Sequence, residues 1–237
     1  MTYPVVSLVM ILGITTFLLV FIIPKFQDIF KALGVALPLP TVIVLGISKA
    51  LTDYWLHLIM IGTGSFLLLK WYKSTDSGGY VWDRMMLKMP VFGQLFQKIA
   101  LSRFSKTFST LLRSGVPILG ALEIVASTAG NRVVEEAVAN ARDAIRQGEP
   151  LAKPLGDSPV FPPMVVRMVA IGEKSGALEQ LLEKISEFYD QQVEATVESL
   201  TSLIEPLMIG VMGLIVGGIV LSVFLPIFKI QEALRKK

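Results

Sequence analysis

The chain has 237 residues, of which 53% are hydrophobic and 17% are charged, and its mean hydropathy is +0.64. Soluble domains carry roughly 25% charged residues, so this composition predicts membrane-spanning helices. The absence of cysteine and the single histidine exclude disulfides, thiol catalysis and a multi-histidine metal site. A net charge of +3 gives little support to a nucleic-acid partner, and no cofactor is expected.

The first predicted span occupies residues 1–24. Its core, "VVSLVMILGITTFLLVFII", carries no charge and approaches the roughly 20 residues needed to cross a bilayer. Pro4 suits a first helical turn, and Pro24 closes the apolar run. A signal peptide is the alternative, but no basic segment precedes the run and no small-residue cleavage site follows it.

A short periplasmic or interfacial connection, residues 25–53, leads to a second predicted span at residues 54–72. The lipid-embedded part is placed at Tyr54–Leu69, with aromatic and basic residues at its end. Asp53 and His57 lie one helical turn apart at the outer end of this span. We interpret them as interfacial residues, with a proton or ion pathway as the alternative.

The third predicted span, residues 204–228, precedes a polar tail at residues 229–237. Glu205 and Pro206 begin it, so Glu205 is interpreted either as a carboxylate at a helix N-terminus or as a buried polar contact to a neighbouring span. Gly210, Gly213 and Gly217 permit close helix packing, and the Gly213–Gly217 spacing is a small-residue pattern compatible with oligomerisation.

Lysine and arginine favour the cytoplasmic side of a membrane. The segment after the second span begins with many of them, which predicts a cytoplasmic location for it: Lys70, Lys73, Arg84, Lys88, Lys98, Arg103 and Lys106. The short connection holds fewer, namely Lys25, Lys31 and Lys49. The basic tail, Lys229 to Lys237, favours the opposite orientation.

Residues 73–203 are predicted to form an antiparallel helical bundle, within an all-α, three-span membrane protein. Apolar residues recur at helical spacing in "QLFQKIALSRFSKTFSTLLRSG" and again in the long helix predicted after Gly176, from Leu178 to Val197. Gly115 ends that helix, Pro117 opens the next, and Asn131 can cap a third. The valines of "MVVRMVAI" also suit a strand, but the flanking prolines favour a helix.

The run "IGEKSG", with Leu178 two residues after its end, has three possible interpretations: a phosphate loop, a catalytic cluster or a helix junction. Gly172 is followed by Glu173, which would repel phosphate, and no glycine stands five residues before it. As a junction, Gly176 ends a helix in the left-handed conformation and Ser175 bonds a free backbone group. Glu173 would then face the N-terminus of the following helix. We favour the junction.

Charge is polarised along the bundle, with basic residues early and acidic residues late. One interpretation is a solvated face with positive-inside bias; the other is a docking surface with complementary patches. The candidate docking residues are Arg103, Lys106, Arg113, Glu183 and Glu187.

Several segments, in this order, resemble the inner-membrane platform proteins of type II secretion systems and type IV pili, the GspF/PilC family. They are "IIPKFQDIFKALGVALPLPT", "MPVFGQLFQKIALSRFSKTFSTLLRSGVPILGALEIVASTAGN", "FPPMVVRMVAIGEKSGALEQLLEKISEFYD" and "IEPLMIGVMGLIVGGIVLSVFLPIF". By this resemblance, the chain is expected to correspond to the C-terminal half of such a protein, without the upstream homologous domain. A fragment, an incomplete gene and a natural short form remain open.

The resemblance implies a non-enzymatic, multi-pass protein of the bacterial inner membrane with its main domain in the cytoplasm. The implied partners are a hexameric ATPase, pilin or pseudopilin, other inner-membrane assembly proteins, further copies of the chain and the lipid bilayer. The resemblance does not distinguish between a secretion system and a pilus as the machine to which the chain belongs. The alternative function is a small transporter or channel subunit, for which the spans offer few polar residues.

Overall fold

A computed structural model describes residues 2–22, 25 and 39–235. The end of the first predicted span, most of residues 25–38 and the last two residues of the tail lie outside this part. All regular elements among the described residues are helical, which confirms the all-α class. These residues form two compact units, Met1–Leu67 with Leu200–Lys237, and Leu68–Ser199.

The first unit contains apolar helices with few buried side chains. Helix α1 spans Thr2–Phe17 and continues as a π-helical turn, Leu18–Ile22; α2 spans Leu39–Asp53, and α3 spans Trp55–Ser74. The Ser48 hydroxyl donates to the Leu19 carbonyl at 2.5 Å, and the Thr41 hydroxyl donates to the Ser222 carbonyl at 2.9 Å. Helix α2 is therefore bonded both to the π-helical turn and to the C-terminal helix.

The sequence predicts no helix within the connection at residues 25–53, but α2 lies there. At 15 residues it is shorter than a span, and Pro40 stands in its first turn, where a missing N–H costs nothing. The axes of Thr41–Ala50 and Trp55–Ser74 differ by 63°. The second predicted span therefore begins at a bend between two helices.

The second unit is a helical bundle. Its helices after α3 are α4 (Asp76–Lys88), α5 (Phe92–Arg113), α6 (Ile118–Thr128), α7 (Arg132–Arg146), α8 (Ala152–Gly156) and α9 (Pro163–Ser175). Helix α10, Leu178–Arg235, contributes its first part to the bundle and its later part to the first unit. The ambiguous "MVVRMVAI" lies in α9, where Val165 and Val169, one turn apart, face the core.

The bundle core is built from one apolar stripe of each helix. The ring centroids of Phe104 and Phe161 lie 5.1 Å apart, which joins α5 to the connector before α9. The largest fully buried side chains are Phe104, Phe108, Leu101, Leu122, Leu151, Leu155, Leu182, Ile185, Val125 and Val134. The stripes expected from helical spacing in α5 and α10 supply Leu101, Phe104, Phe108, Leu182 and Ile185.

Among the described residues, α10 alone is long and apolar enough to span a membrane, over Leu178–Ser222. A second span exists if α2 and α3 are counted together across their bend. The described apolar part of the first predicted span, Val9–Ile22, is shorter than a membrane-spanning helix.

Candidate functional site: helix junctions and charged faces

The junction between α9 and α10 is set by Gly176. Its backbone has φ 72° and ψ 9°, the left-handed conformation, directly after Ser175 ends α9. A Cβ at this position would meet nothing within 4 Å. Glycine is therefore required here for backbone conformation and not for space. The Ser175 hydroxyl donates to the Ile171 carbonyl at 2.8 Å, within the last turn of α9.

Gly172 has a different role in the same run. A Cβ added to Gly172 would lie 2.8 Å from the Leu178 Cα atom and 3.3 Å from its backbone nitrogen. The 2.8 Å contact is too short for a real Cβ and the 3.3 Å contact is tight, and both involve backbone, which cannot rotate away. Gly172 therefore allows the last turn of α9 to touch Leu178, the first residue of α10. The Leu178 side chain is buried.

Glu173 makes a contact different from the predicted one. Its carboxylate accepts a hydrogen bond of 2.8 Å from the backbone N–H of Leu151, just before α8, and not from the N-terminus of α10. The prediction was wrong because the bonded residue is 22 positions earlier, and spacing along the chain gives no information about it. Glu173 thus ties α9 to the connector at Leu151, whose side chain is buried.

Two other predicted junctions have simple geometry. Gly115 has φ 76° after α5, and the Pro117 carbonyl accepts from the Ala121 N–H at 2.9 Å as α6 begins. The Asn131 side chain accepts from the Val133 and Val134 N–H groups at 3.0 and 3.3 Å. Asn131 therefore caps α7 in the manner expected from its position.

Asp83 makes a buried contact and was not among the predicted site residues. It lies on the inner face of α4, and its carboxylate accepts from the Arg132 N–H at 2.8 Å. An anion at the first residue of α7 also faces the positive end of that helix. Asp83 lies at helical spacing from Tyr80 and Leu87, so an acid on this apolar face was the signal that the sequence offered.

The basic face of α5 and the acidic face of α10 meet inside the bundle. Arg113 is the centre of this contact: its Nε lies 2.8 Å from Glu179 Oε1, and its Nη2 lies 2.6 Å from Glu183 Oε1. Lys106 Nζ lies 3.8 Å from Asp190 Oδ2, and the Ser102 hydroxyl bonds to the same carboxylate.

Ion pairs on these faces shift the pKa values of the side chains that form them. The hydrogen bond from Arg113, with its positive charge, lowers the pKa of Glu183 below its ordinary value of 4.5. The hydrogen bonds from Glu183 and Glu179 raise the pKa of Arg113 in turn. The hydrogen bond to Glu187 likewise raises the pKa of Lys184, whose Nζ lies 2.7 Å from Glu187 Oε2.

The five candidate docking residues therefore fall into two groups, a pair bonded to each other and three exposed residues. Arg113 and Glu183 bond to each other, so part of the charge complementarity between the basic and acidic patches is satisfied within the bundle. Arg103 and Glu187 are exposed, and the Lys106 side chain is 70% exposed despite its distant contact with Asp190.

The residues predicted to pack membrane helices all lie inside α10. Glu205 does not stand at a helix N-terminus, because α10 runs without interruption from Leu178. Glu205 and Pro206 are exposed, and a Cβ at Gly210, Gly213 or Gly217 would meet nothing within 4 Å in this single chain. The glycine face is therefore uncovered by the described residues.

No group of three or more histidine, cysteine, aspartate or glutamate side chains among the described residues could hold a metal ion. The features that the structure brings together are junctions and ion pairs between helices. They position helices relative to one another.

Comparison with known proteins decides the family. A family model described as "Type II secretion system (T2SS), protein F" matches residues 104–226, which run from α5 into the apolar part of α10. The chain belongs to this family. The match confirms the resemblance seen in the sequence.

Curated relatives of this protein F family chain carry two kinds of name. "Type IV pilus assembly protein PilC" of Thermus thermophilus is 48% identical over 97% of this chain, and that of Pseudomonas aeruginosa is 35% identical. "Type II secretion system protein F" of Vibrio cholerae is 31% identical over 100% of this chain. The chain spans 57%, 62% and 58% of these three relatives, respectively, which is less than two thirds of each.

Proposed function

We propose that this chain acts as an inner-membrane platform of a type IV pilus machine, linking a cytoplasmic hexameric ATPase to the assembly of pilin. The proposal rests on the family to which the chain belongs. The pilus rather than the secretion system is favoured by identity, since relatives named for pilus assembly match at 35–48% and those named for secretion at 30–32%.

The proposed topology has three membrane spans with the bundle in the cytoplasm. Its support is the apolar part of α10, the absence of buried residues along α3, and the basic residues that begin the second unit. The division of the chain at Leu68 and Ser199 lies close to the predicted bundle limits of residues 73 and 203.

The proposed role is mechanical and not enzymatic. Helix α10 begins at the Gly176 junction and continues as one helix into the apolar segment. Force applied to the bundle at the α5–α10 face would therefore reach the membrane segment through a continuous helix. Pilin, other inner-membrane assembly proteins and a second copy bound through Gly213 and Gly217 are the partners proposed for that segment.

The ATPase is proposed to dock on the exposed charges Arg103, Lys106 and Glu187. Replacing Arg103 and Lys106 together by glutamate should strongly reduce co-purification of the ATPase with the full chain, because both side chains point to solvent. Arg146→Glu, an exposed charge at the end of α7, is the matched control and should leave co-purification unchanged. Unreduced co-purification of the ATPase with both the double variant and Glu187→Arg would rule out this docking surface.

A further inference from the structure

The outward face of α4 is apolar and basic at once. Val81, Met85 and Met89 recur every four residues and lie on one side of the helix. They continue into Val91 and Phe92 at the start of α5, and all five side chains are 43–59% exposed. Nothing in the described bundle covers this strip.

Arg84 and Lys88 flank the strip and are exposed. Neither is salt-bridged to a described acidic side chain, although both border an open cavity of about 710 Å³ that Glu136 and Asp157 also line. Asp83 is turned inward and bonded to the Arg132 backbone. The outward face of α4 from Ser77 to Met89 therefore presents positive charge and apolar surface without an acidic side chain.

The turn after α4 exposes further apolar surface in an unfavourable conformation. The Phe92 N–H donates to the Pro90 carbonyl at 2.8 Å and closes a three-residue γ-turn around Val91, whose φ is 71°. A positive φ is rare for a β-branched residue, and its cost has to be offset by surrounding interactions. This turn places Val91 and Phe92 at the surface beside Met89.

This surface lies at the end of the bundle where the chain enters and leaves. Helix α4 begins two residues after α3 ends, and α3 closes with exposed aromatic and basic residues, Lys70 to Lys73. The Lys98 side chain near the start of α5 bonds Thr196 at 3.0 Å, whereas Arg113 at its end bonds Glu179. Thr196 is close to the apolar segment of α10, and Glu179 is distant from it along the helix.

We infer that α4 lies on the membrane surface, with Val81, Met85, Met89 and Phe92 inserted among the headgroups of an anionic bilayer and Arg84 and Lys88 bound to lipid phosphates. Apolar residues interleaved with basic ones are the pattern of interfacial helices. The inference rests on the proposed spanning role of α3 and α10. It assigns α4 the task of fixing the bundle close to the bilayer.

The experiment uses single cysteines, since the full chain contains none. Met85→Cys and Val81→Cys are labelled with an environment-sensitive fluorophore and reconstituted in vesicles of phosphatidylcholine with phosphatidylglycerol, or of phosphatidylcholine alone. Headgroup-level quencher lipids then report contact. Thr110→Cys is the matched control: it is an exposed site on α5 about 27 Å along the helix axis from Phe92. Leu67→Cys, exposed within α3, is the reference for a spanning residue and is read with quenchers placed along the acyl chain.

The fluorophore at residues 85 and 81 should be quenched in the anionic vesicles, and the one at residue 110 should not. One basic residue near an anionic surface contributes about fivefold in affinity, so Arg84→Gln with Lys88→Gln should weaken the association of α4 by roughly 25-fold and bring quenching at residue 85 close to the Thr110 level.

Quenching at residue 67 without quenching at residues 81 and 85 overturns the inference and leaves the proposed spans intact. A blue-shifted fluorophore at residue 85 that the quencher lipids do not reach also overturns it, because protein then covers the face. No quenching at residue 67 contradicts the proposed spans and this inference together.

Discussion

Single residues of the "IGEKSG" run act through backbone geometry. Gly176 supplies a left-handed φ, Gly172 removes a side chain where two helices touch, and Glu173 holds the backbone of a distant connector. The run contains an acid, a base and a hydroxyl, yet the described contacts of Glu173 and Ser175 are to backbone groups. The residues that resembled a site are explained as a joint between α9 and α10.

The close contact at Gly172 predicts a specific steric cost. Gly172→Ala should be about 1–3 kcal/mol less stable than Gly120→Ala, measured by unfolding of the full chain in detergent, because overpacking against backbone is not relieved by rotation. Both changes add the same methyl group within a helix and share the same gain in helix propensity.

Gly120 is the matched control because a Cβ there would lie 3.7 Å from Val116 Cγ1, an ordinary contact. Equal stability of the two variants would show that α9 and α10 do not approach at residue 172 as described.

At the scale of helices, the bundle depends on which faces meet. Spacing predicted the apolar stripes of α5 and α10, and glycine, proline and asparagine marked their ends, because these signals are local. The pairing of Arg113 with Glu179 and Glu183 was not predictable in the same way. To predict this pairing, one would have to know that side chains separated by 66 and 70 positions in the sequence lie on neighbouring helices. Neither charge nor periodicity specifies this. The hydrogen bond between Glu173 and the Leu151 backbone could not be predicted for the same reason.

The Arg113 pairs predict a pH dependence. The lowered pKa of Glu183 means that folding favours its charged form, so this contribution is present above pH 4.5 and is lost as pH falls through the lower folded pKa. Arg113→Gln should therefore lower the melting temperature of the full chain near neutral pH, and the difference from the unmodified chain should shrink in acid.

Lys153→Gln is the control for this measurement, since Lys153 pairs with Glu149 one turn away, at an exposed position. It should change the melting temperature little at any pH. A difference for Arg113→Gln that stayed constant down to strongly acidic pH would contradict an ionic contribution from Glu183.

For the whole molecule, the helical class was predictable from the sequence, because hydropathy and helical periodicity act over long stretches. Helix α2 was missed because it is too short to resemble a span and too apolar to resemble a bundle helix. The described part contains one span by length and apolarity, or two if α2 and α3 are joined, against the three predicted.

The proposed function depends on the bundle lying in the cytoplasm, where an ATPase can reach it. Thr110→Cys places a single thiol on the exposed surface of α5 in a chain without other cysteines. In intact cells whose outer membrane admits the reagent, an impermeant maleimide should leave this thiol unlabelled and should label it after the inner membrane is permeabilised. Labelling before permeabilisation would place the bundle outside the cytoplasm and contradict the platform function.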